Sequence, residues 1–315
     1  MIMKRLRQLL GLAGIFGGIL VIFLGIEGFN NNRPENNIIS GQENQKIRSY
    51  RIPDSLLFSG EMVPLENFDT RESLDRELNS NAYFHSSTLL LLKRSNRYFP
   101  VIEPILKKHG IPDDFKYIAV AESNLSNIVS PAGAVGFWQF LADTGKEYGL
   151  EINTEIDERY HLEKSTEAAC RYFLKSFEKY GNWTMVAASF NRGSNGVDQQ
   201  VEIQGQTNYY DLLLPEETSR YVFRILSFKI IFSDPEEYGF SIEEGHLYPE
   251  ISYELVMVDS TISNFADFAS KFGTNYKIFK ALNPWLRKPY LNNKKGKTYE
   301  LKIPSENART DTYNF

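Results

Sequence analysis

The sequence predicts a mainly α-helical chain that closes with a small α+β module. Three observations carry this expectation. From Arg71 to about residue 235, apolar residues recur at helical spacing and no strand alternation interrupts them. Beyond that, two alternating stretches, "ISYELVMV" and "KTYELKIP", bracket two helical ones. With 42% hydrophobic and 14% aromatic residues among 315, the chain can bury one large core or two modest ones.

At the N-terminus, Lys4, Arg5 and Arg7 precede a Gly-rich apolar run from Leu9 to Ile26. A positive flank before an apolar run marks a secretion signal or a membrane-spanning helix with its N-terminus inside. The run is at the lower edge of the ~17–25 residues needed to span. Gly25-Ile26-Glu27 is a poor cleavage site, so an uncleaved anchor over residues 1–28 is favoured over a cleaved signal. The Asn-rich stretch "NNNRPENNIISGQENQ" then reads as a flexible spacer, placing a linker over 29–70.

The helical body is expected over 71–240. Leu89 to Leu92 and Phe99 to Leu106 belong to apolar helical stretches, with Gly110 as a stop. Asp113 begins the helix that carries Glu122. Ser165 is the expected N-cap of a helix running to Tyr180, with Gly181 at its end. Trp183 to Phe190 is another helix. A further one starts at Pro215, with an acidic first turn that suits the helix dipole. Residues 241–315 hold the strand-helix-helix-strand module, in one copy. The net charge of −5 argues against nucleic acid as a partner, since phosphate binding needs a basic face. The four His are scattered without ligand spacing, so neither a metal nor another cofactor is expected. The single cysteine, Cys170, sits among apolar helical positions and reads as core.

The stretch "AVAESNLSNIVSPAGAVGFWQF", residues 119–140, is the chemically distinctive one. It holds one acid, Glu122, and no other charge. Phe115, Ile118, Ala119 and Glu122 share one helix face, so the carboxyl continues an apolar stripe. A carboxyl there loses hydration, which raises its pKa and keeps a proton available for general acid work. On helix spacing alone, a structural role for Glu122 as a cap or an arginine's partner stands level with a catalytic one. The Ser130-to-Ala134 loop is compact, and Gly133 and Gly136 let backbone approach a ligand closely. Trp138 and Gln139 would offer a sugar ring an aromatic face and an amide.

"ESNLSNIVSPAGAVGFWQFLADTGKEYGL" resembles the signature of lytic murein transglycosylases, the soluble-lytic-transglycosylase domain of glycoside hydrolase family 23, and looks most like its membrane-bound D branch. The matching residues are Glu122-Ser123, Ser130, Gly133-Ala134, Gly136, Trp138-Gln139, Thr144-Gly145 and Tyr148-Gly149-Leu150. "DERYHLEKSTEAACRYF", "AASFNRGSNGV" with Asn191 and Gly193, and "ETSRYVFRIL" with Tyr221 resemble the later motifs in the family's order. Two departures stand out. The Glu122–Ser130 spacing is one residue shorter than in many relatives, and Phe190 replaces the Tyr before Asn-x-Gly.

The resemblance implies a lysozyme-like helical catalytic domain that cleaves peptidoglycan glycan strands. Glu122 would be the catalytic acid and base, with 1,6-anhydro-MurNAc ends as the product. Ser123, Ser130, Gly136, Trp138, Gln139, Asn191 and Tyr221 would bind substrate. If the missing Tyr hydroxyl orients the acid in relatives, Tyr221 is a candidate to take over that job. The C-terminal module resembles a degenerate LysM unit in "ALNPWL" and "YELKIP", with Val258-Asp259-Ser260-Thr261 in place of Gly-Asp-Thr; a family-specific extension packed on the catalytic domain is the other reading. The location implied is the bacterial envelope, anchored in the inner membrane and facing the periplasm, or free in the periplasm if the segment is cleaved. A hydrolase on the same fold and a non-catalytic wall-binding protein are the alternatives.

Overall fold

Helices dominate from residue 68 to 233 because the apolar spacing there is met by specific stops and caps. The computed structural model describes residues 47–310. The expected anchor over 1–28 lies outside the described residues. Among the described residues, no helix is long and apolar enough to cross a membrane.

The expected linker over 29–70 is corrected at its C-terminal half. Tyr50, Ile52, Phe58, Val63 and Leu65 are buried in the main core. Strands β1 (Leu57–Phe58) and β2 (Glu61–Met62) form a tight antiparallel hairpin. Glu61, on β2, accepts hydrogen bonds from Thr184 N (2.9 Å), Thr184 Oγ1 (2.6 Å) and Trp183 N. This carboxylate satisfies orphan donors at the start of a helix 122 residues downstream. The spacer-like composition belongs to residues 30–45; residues 50–65 carry apolar side chains that find their partners in the folded chain.

Helix α1 spans Phe68–Tyr83 and α2 spans His85–Lys108. The two apolar stretches expected around residues 89 and 99 are one continuous helix, which carries Pro100 and Pro104 inside it. A short 3₁₀ turn at Asp113–Phe115 leads into α3, Lys116–Ser123, the helix with Glu122. Helix α4 is Ala142–Glu147 and α5 is Leu162–Tyr180. Ser165 is not the N-cap of α5: His161 takes that place, and Ser165 is fully buried inside the first turn, donating to Leu162 O (3.1 Å). Gly181 ends α5 in the left-handed region, as expected.

Helices α6 (Trp183–Arg192), α7 (Ser194–Gln204) and α8 (Glu216–Ser233) complete the body. Asn182 caps α6 by accepting from Met185 N (2.8 Å). Helix α8 packs against α1, α3 and α6, which puts its first turns beside the end of α3.

The C-terminal module has the expected order. Strand β3 (Tyr253–Val258) pairs antiparallel with β4 (Tyr299–Pro304), from Tyr253↔Pro304 to Val258↔Tyr299. Between them lie α9 (Phe265–Lys271) and α10 (Tyr276–Leu282), capped by Asn264 and Asn275. Phe265, Phe279, Trp285, Leu286 and Leu301 fill its own apolar cluster. Buried Asn283 bridges the end of α10 to β4, giving Nδ2 to Lys302 O (2.7 Å) and accepting from Lys302 N (2.9 Å). The module belongs to the same compact unit as the helical body.

Candidate active site

Helix α3 stops at its eighth residue because Asn124 and Leu125 both turn left-handed, with φ of 52° and 51°. Two consecutive non-glycine residues in that region are costly and persist only where surroundings hold them. Leu125 is buried, and Arg94 Nη1 donates to Asn124 O (2.8 Å). The sharp stop leaves Glu122 one residue before the helix end, half-buried and opening into a cleft.

The cleft is lined by Glu122, Ser130, Gln139, Phe140, Phe190 and Asn191, with Glu217 at its rim. Tyr221 donates its hydroxyl to Glu122 Oε1 at 2.6 Å. Burial pushes the Glu122 carboxyl up. The Tyr221 hydrogen bond opposes the rise, the charge of Glu217 adds to it, and Arg224 opposes it again. The net pKa is about 7. Tyr221 itself is pushed well above its ordinary value by burial and by the adjoining carboxyl, so it remains a donor. With Oε1 occupied, Oε2 is the oxygen left to carry a proton toward the cleft.

The residues from 128 to 140 form the opposite wall. Ser130 closes a tight turn: its N donates to Ala134 O (2.9 Å) and its Oγ accepts from Ala134 N (3.0 Å). Gln139, at φ 49°, gives its amide nitrogen to Gly136 O (2.7 Å) and Ile128 O (3.2 Å). Its amide oxygen is left facing no protein donor among the described residues. Asn191, which lines the cleft, accepts at Oδ1 from Thr218 Oγ1 (2.9 Å), which leaves its amide nitrogen as the donor of that side chain. Thr218 and Tyr221 are one turn apart on α8, so one helix orients both Asn191 and Glu122.

Four of the expected substrate contacts are corrected. Tyr221 is buried and gives its hydroxyl to Glu122 rather than to a ligand. Trp138 offers no face to a sugar: it is fully buried, donates Nε1 to Thr166 Oγ1 (2.9 Å), and packs edge-on against Phe173 and Phe190. Ser123 is also buried, and its hydroxyl donates back to Ala119 O (3.0 Å) inside α3. Gly136 approaches protein backbone, not ligand. At φ 83°, a Cβ there would lie 2.0 Å from Arg159 O. Trp138 and Ser123 serve the core because aromatic and hydroxyl groups satisfy burial as readily as binding.

Sequence reasoning passed over Glu217 and Tyr172, both of which line the cleft together with Phe140. Glu217 stands in "ETSRYV" next to Thr218, four positions before Tyr221, so helical spacing from Tyr221 was the available signal. Phe190 is half-buried. It packs edge-on against Tyr172 (centroids 5.1 Å apart) and Phe140 (5.7 Å), and its ring borders the cleft. Cys170 is buried in α5, which pushes its thiol up to about 12, in keeping with a core residue. Among the described residues, no three His, Cys, Asp or Glu side chains gather as a metal site.

A half-buried acid at a helix end thus faces a glycine-turned loop within a mainly helical body. Residues 99–213 match the family described as the transglycosylase SLT domain. Residues 254–307 match the soluble lytic transglycosylase C-terminal LysM-like domain. The chain thus carries an SLT domain followed by a LysM-like domain. It is 29% identical, over 180 residues, to the membrane-bound lytic murein transglycosylase D of Escherichia coli strain K12, a match covering 55% of this chain and 39% of the relative. The protein of the same name from Escherichia coli O6:H1 matches to the same extent. The chain therefore spans about two fifths of the length of the curated relatives it matches.

Proposed function

We propose that this protein is a peptidoglycan lytic transglycosylase, which cleaves the β-1,4 bond between N-acetylmuramic acid and N-acetylglucosamine and leaves 1,6-anhydro-MurNAc ends. The observation that carries the reading is the environment of Glu122: one oxygen held by Tyr221 at 2.6 Å, and a pKa raised to about 7. Such a carboxyl can give a proton and take one back near neutral pH.

In this reading the Glu122 proton passes to the glycosidic oxygen as the bond to the muramoyl C1 breaks. The substrate's acetamide supports the positive sugar centre. Glu122, now ionised, takes the proton from the muramoyl 6-hydroxyl, whose oxygen closes on C1. No water is consumed. Asn191 and Gln139 offer a donor and an acceptor to the sugar rim, and Ser130 lies where an acetamide could sit. The SLT and LysM-like matches support peptidoglycan as the substrate. The relatives' name supports a place in the cell envelope; the reading of residues 1–28 as an inner-membrane anchor or periplasmic signal rests on the basic flank and apolar run alone.

A hydrolase is the second reading, and Glu217 is the observation that favours it. A second carboxylate across a glycosidase cleft can position water. Glu217 is exposed at the first turn of α8. Mass spectrometry of muropeptides released from sacculi decides between the two. Anhydro ends support the transglycosylase; reducing ends overturn it in favour of the hydrolase. No release at all leaves the wall-binding alternative.

A further inference from the structure

The LysM-like module shares one segment of chain, residues 151–163, with the helical body. On the module's side, Arg287 N donates to Glu155 O (2.6 Å) and Asp157 N donates to Trp285 O (2.9 Å). The Glu155 carboxylate accepts from Asn292 N (2.8 Å) and Asn292 Nδ2 (2.9 Å). The Arg287 guanidinium lies 3.9 Å from the centre of the Tyr160 ring. Lys297 pairs with Glu151 and Lys302 with Glu163.

The same segment grips the 128–140 wall of the cleft from its other side. Arg159 is held by Asp157 through Nε (2.9 Å) and Nη2 (2.7 Å). Its Nη1 donates to both Gly133 O and Phe140 O, each at 3.1 Å, and so ties the middle of the loop to its C-terminal end. Arg159 O occupies the space that a Cβ on Gly136 would need. Val135, from the middle of the loop, is buried in the module's own apolar cluster with Ile156, Tyr160 and Leu286.

A module that served only to bind glycan strands would need a flexible connection and none of these contacts. The loop has no regular helix or strand: its internal hydrogen bonds, such as Gly136 N to Ile128 O (3.0 Å) and Val135 N to Phe140 O (3.0 Å), fold it on itself, while Arg159 and the burial of Val135 tie it to residues 151–163 and the module. We propose that the LysM-like module braces the cleft: acting through residues 151–163 it holds the 128–140 loop in place, and Arg159 is the positioning residue that transmits the constraint. The inference rests on the cleft being the glycan-cleaving site, since loop order matters there for catalysis.

The test compares the full chain with Glu155→Ala/Arg287→Ala, which loosens the junction away from the cleft, and with Arg159→Lys, which keeps the charge but loses the fork. Hydrogen exchange is followed in peptides from 128–140 and, as an internal control, from the C-terminal half of α5, residues 170–180. Turnover is measured on soluble, uncrosslinked glycan strands, and binding on intact sacculi. The expectation is about tenfold faster exchange in 128–140 with α5 unchanged, and about a tenfold lower kcat on soluble strands with KM little altered. Sacculus binding by the junction variant stays near wild type. Unchanged exchange in 128–140, or equal acceleration in both regions, overturns the brace, as does loss of sacculus binding with kcat intact. Should the junction variant fail to fold, Arg159→Lys is judged by the same exchange and turnover criteria. If the wild-type chain turns over no strands, the transglycosylase reading fails, while the exchange comparison still judges the brace.

Discussion

Tyr221 donates its hydroxyl to Glu122 Oε1 at 2.6 Å, across 99 residues of sequence. Phe190 borders the cleft with no hydroxyl to offer, and the contact from α8 gives the acid its hydroxyl donor. A bond to the ionised form of a carboxyl lowers its pKa, while burial raises it. The balance at about 7 is thus a property of two helices, α3 and α8, held in register by packing.

Replacing Tyr221 by Phe should shift that balance upward. The lost hydrogen bond favoured the ionised carboxyl, so the Glu122 pKa rises above about 7 and the alkaline limb of kcat/KM moves to higher pH. The rate on the plateau should fall by about tenfold, since the carboxyl loses its orienting partner. A pH–rate profile with an unmoved alkaline limb would show that Tyr221 does not tune the acid.

Glu122→Gln should abolish cleavage, since proton transfer contributes about 10²–10⁴-fold, while the amide oxygen still accepts from Tyr221. It should also change stability with a definite sign. The folded pKa lies above the ordinary value of 4.5, so wild-type stability is fully present below about 4.5 and declines as pH rises through about 7. The variant lacks this decline. At pH 8 it should be more stable than wild type by about 1–3 kcal/mol relative to their difference at pH 4. Denaturant melts at the two pH values check this; parallel behaviour would mean that Glu122 does not titrate as buried.

Gly136→Ala and Gly133→Ala form a matched pair. Both positions have positive φ, 83° and 79°, but a Cβ at Gly136 meets Arg159 O at 2.0 Å while one at Gly133 meets nothing within 4 Å. Gly133→Ala should cost about 1 kcal/mol for the left-handed backbone alone. Gly136→Ala should cost several-fold more and remove activity, because the loop must leave Arg159. Equal losses in thermal melts would show that the close approach is not real in solution.

Phe190→Tyr should leave the melting temperature nearly unchanged and give equal or several-fold higher turnover on sacculi, the scale of one hydrogen bond at about 1 kcal/mol. Its ring borders the cleft, where an added hydroxyl can meet water or substrate. A markedly lower melting temperature with reduced turnover would place the para position among Trp138, Phe173 and Tyr172 instead, leaving an unpaired hydroxyl in the core.

What the sequence determined by itself is what local periodicity and a lone charge can encode. The helices around Glu122, Cys170 and Tyr221 and the order of the C-terminal module were legible in the 3.6- and 2-residue periods, because each element's apolar face is written along its own chain. Glu122 stood out because a carboxyl on an apolar stripe is costly wherever the stripe is buried. Whether Trp138 stacks on sugar or fills the core was not legible, since the same ring suits both and only its neighbours Thr166 and Phe173 decide. Residues 50–65 follow the Asn-rich stretch without a helical or strand period of their own, yet they bury Phe58 and satisfy the start of α6 with Glu61 once a distant helix offers its donors. Ser165 fits an N-cap, but His161 starts α5 earlier. The pairing of Glu122 with Tyr221, the entry of Glu217 into the cleft, and the grip of Arg159 on Gly133 and Phe140 belong to the tertiary structure. Each joins groups from separate elements, and contacts of that kind are chosen by how helix faces and loops pack, which no single stretch of chain specifies.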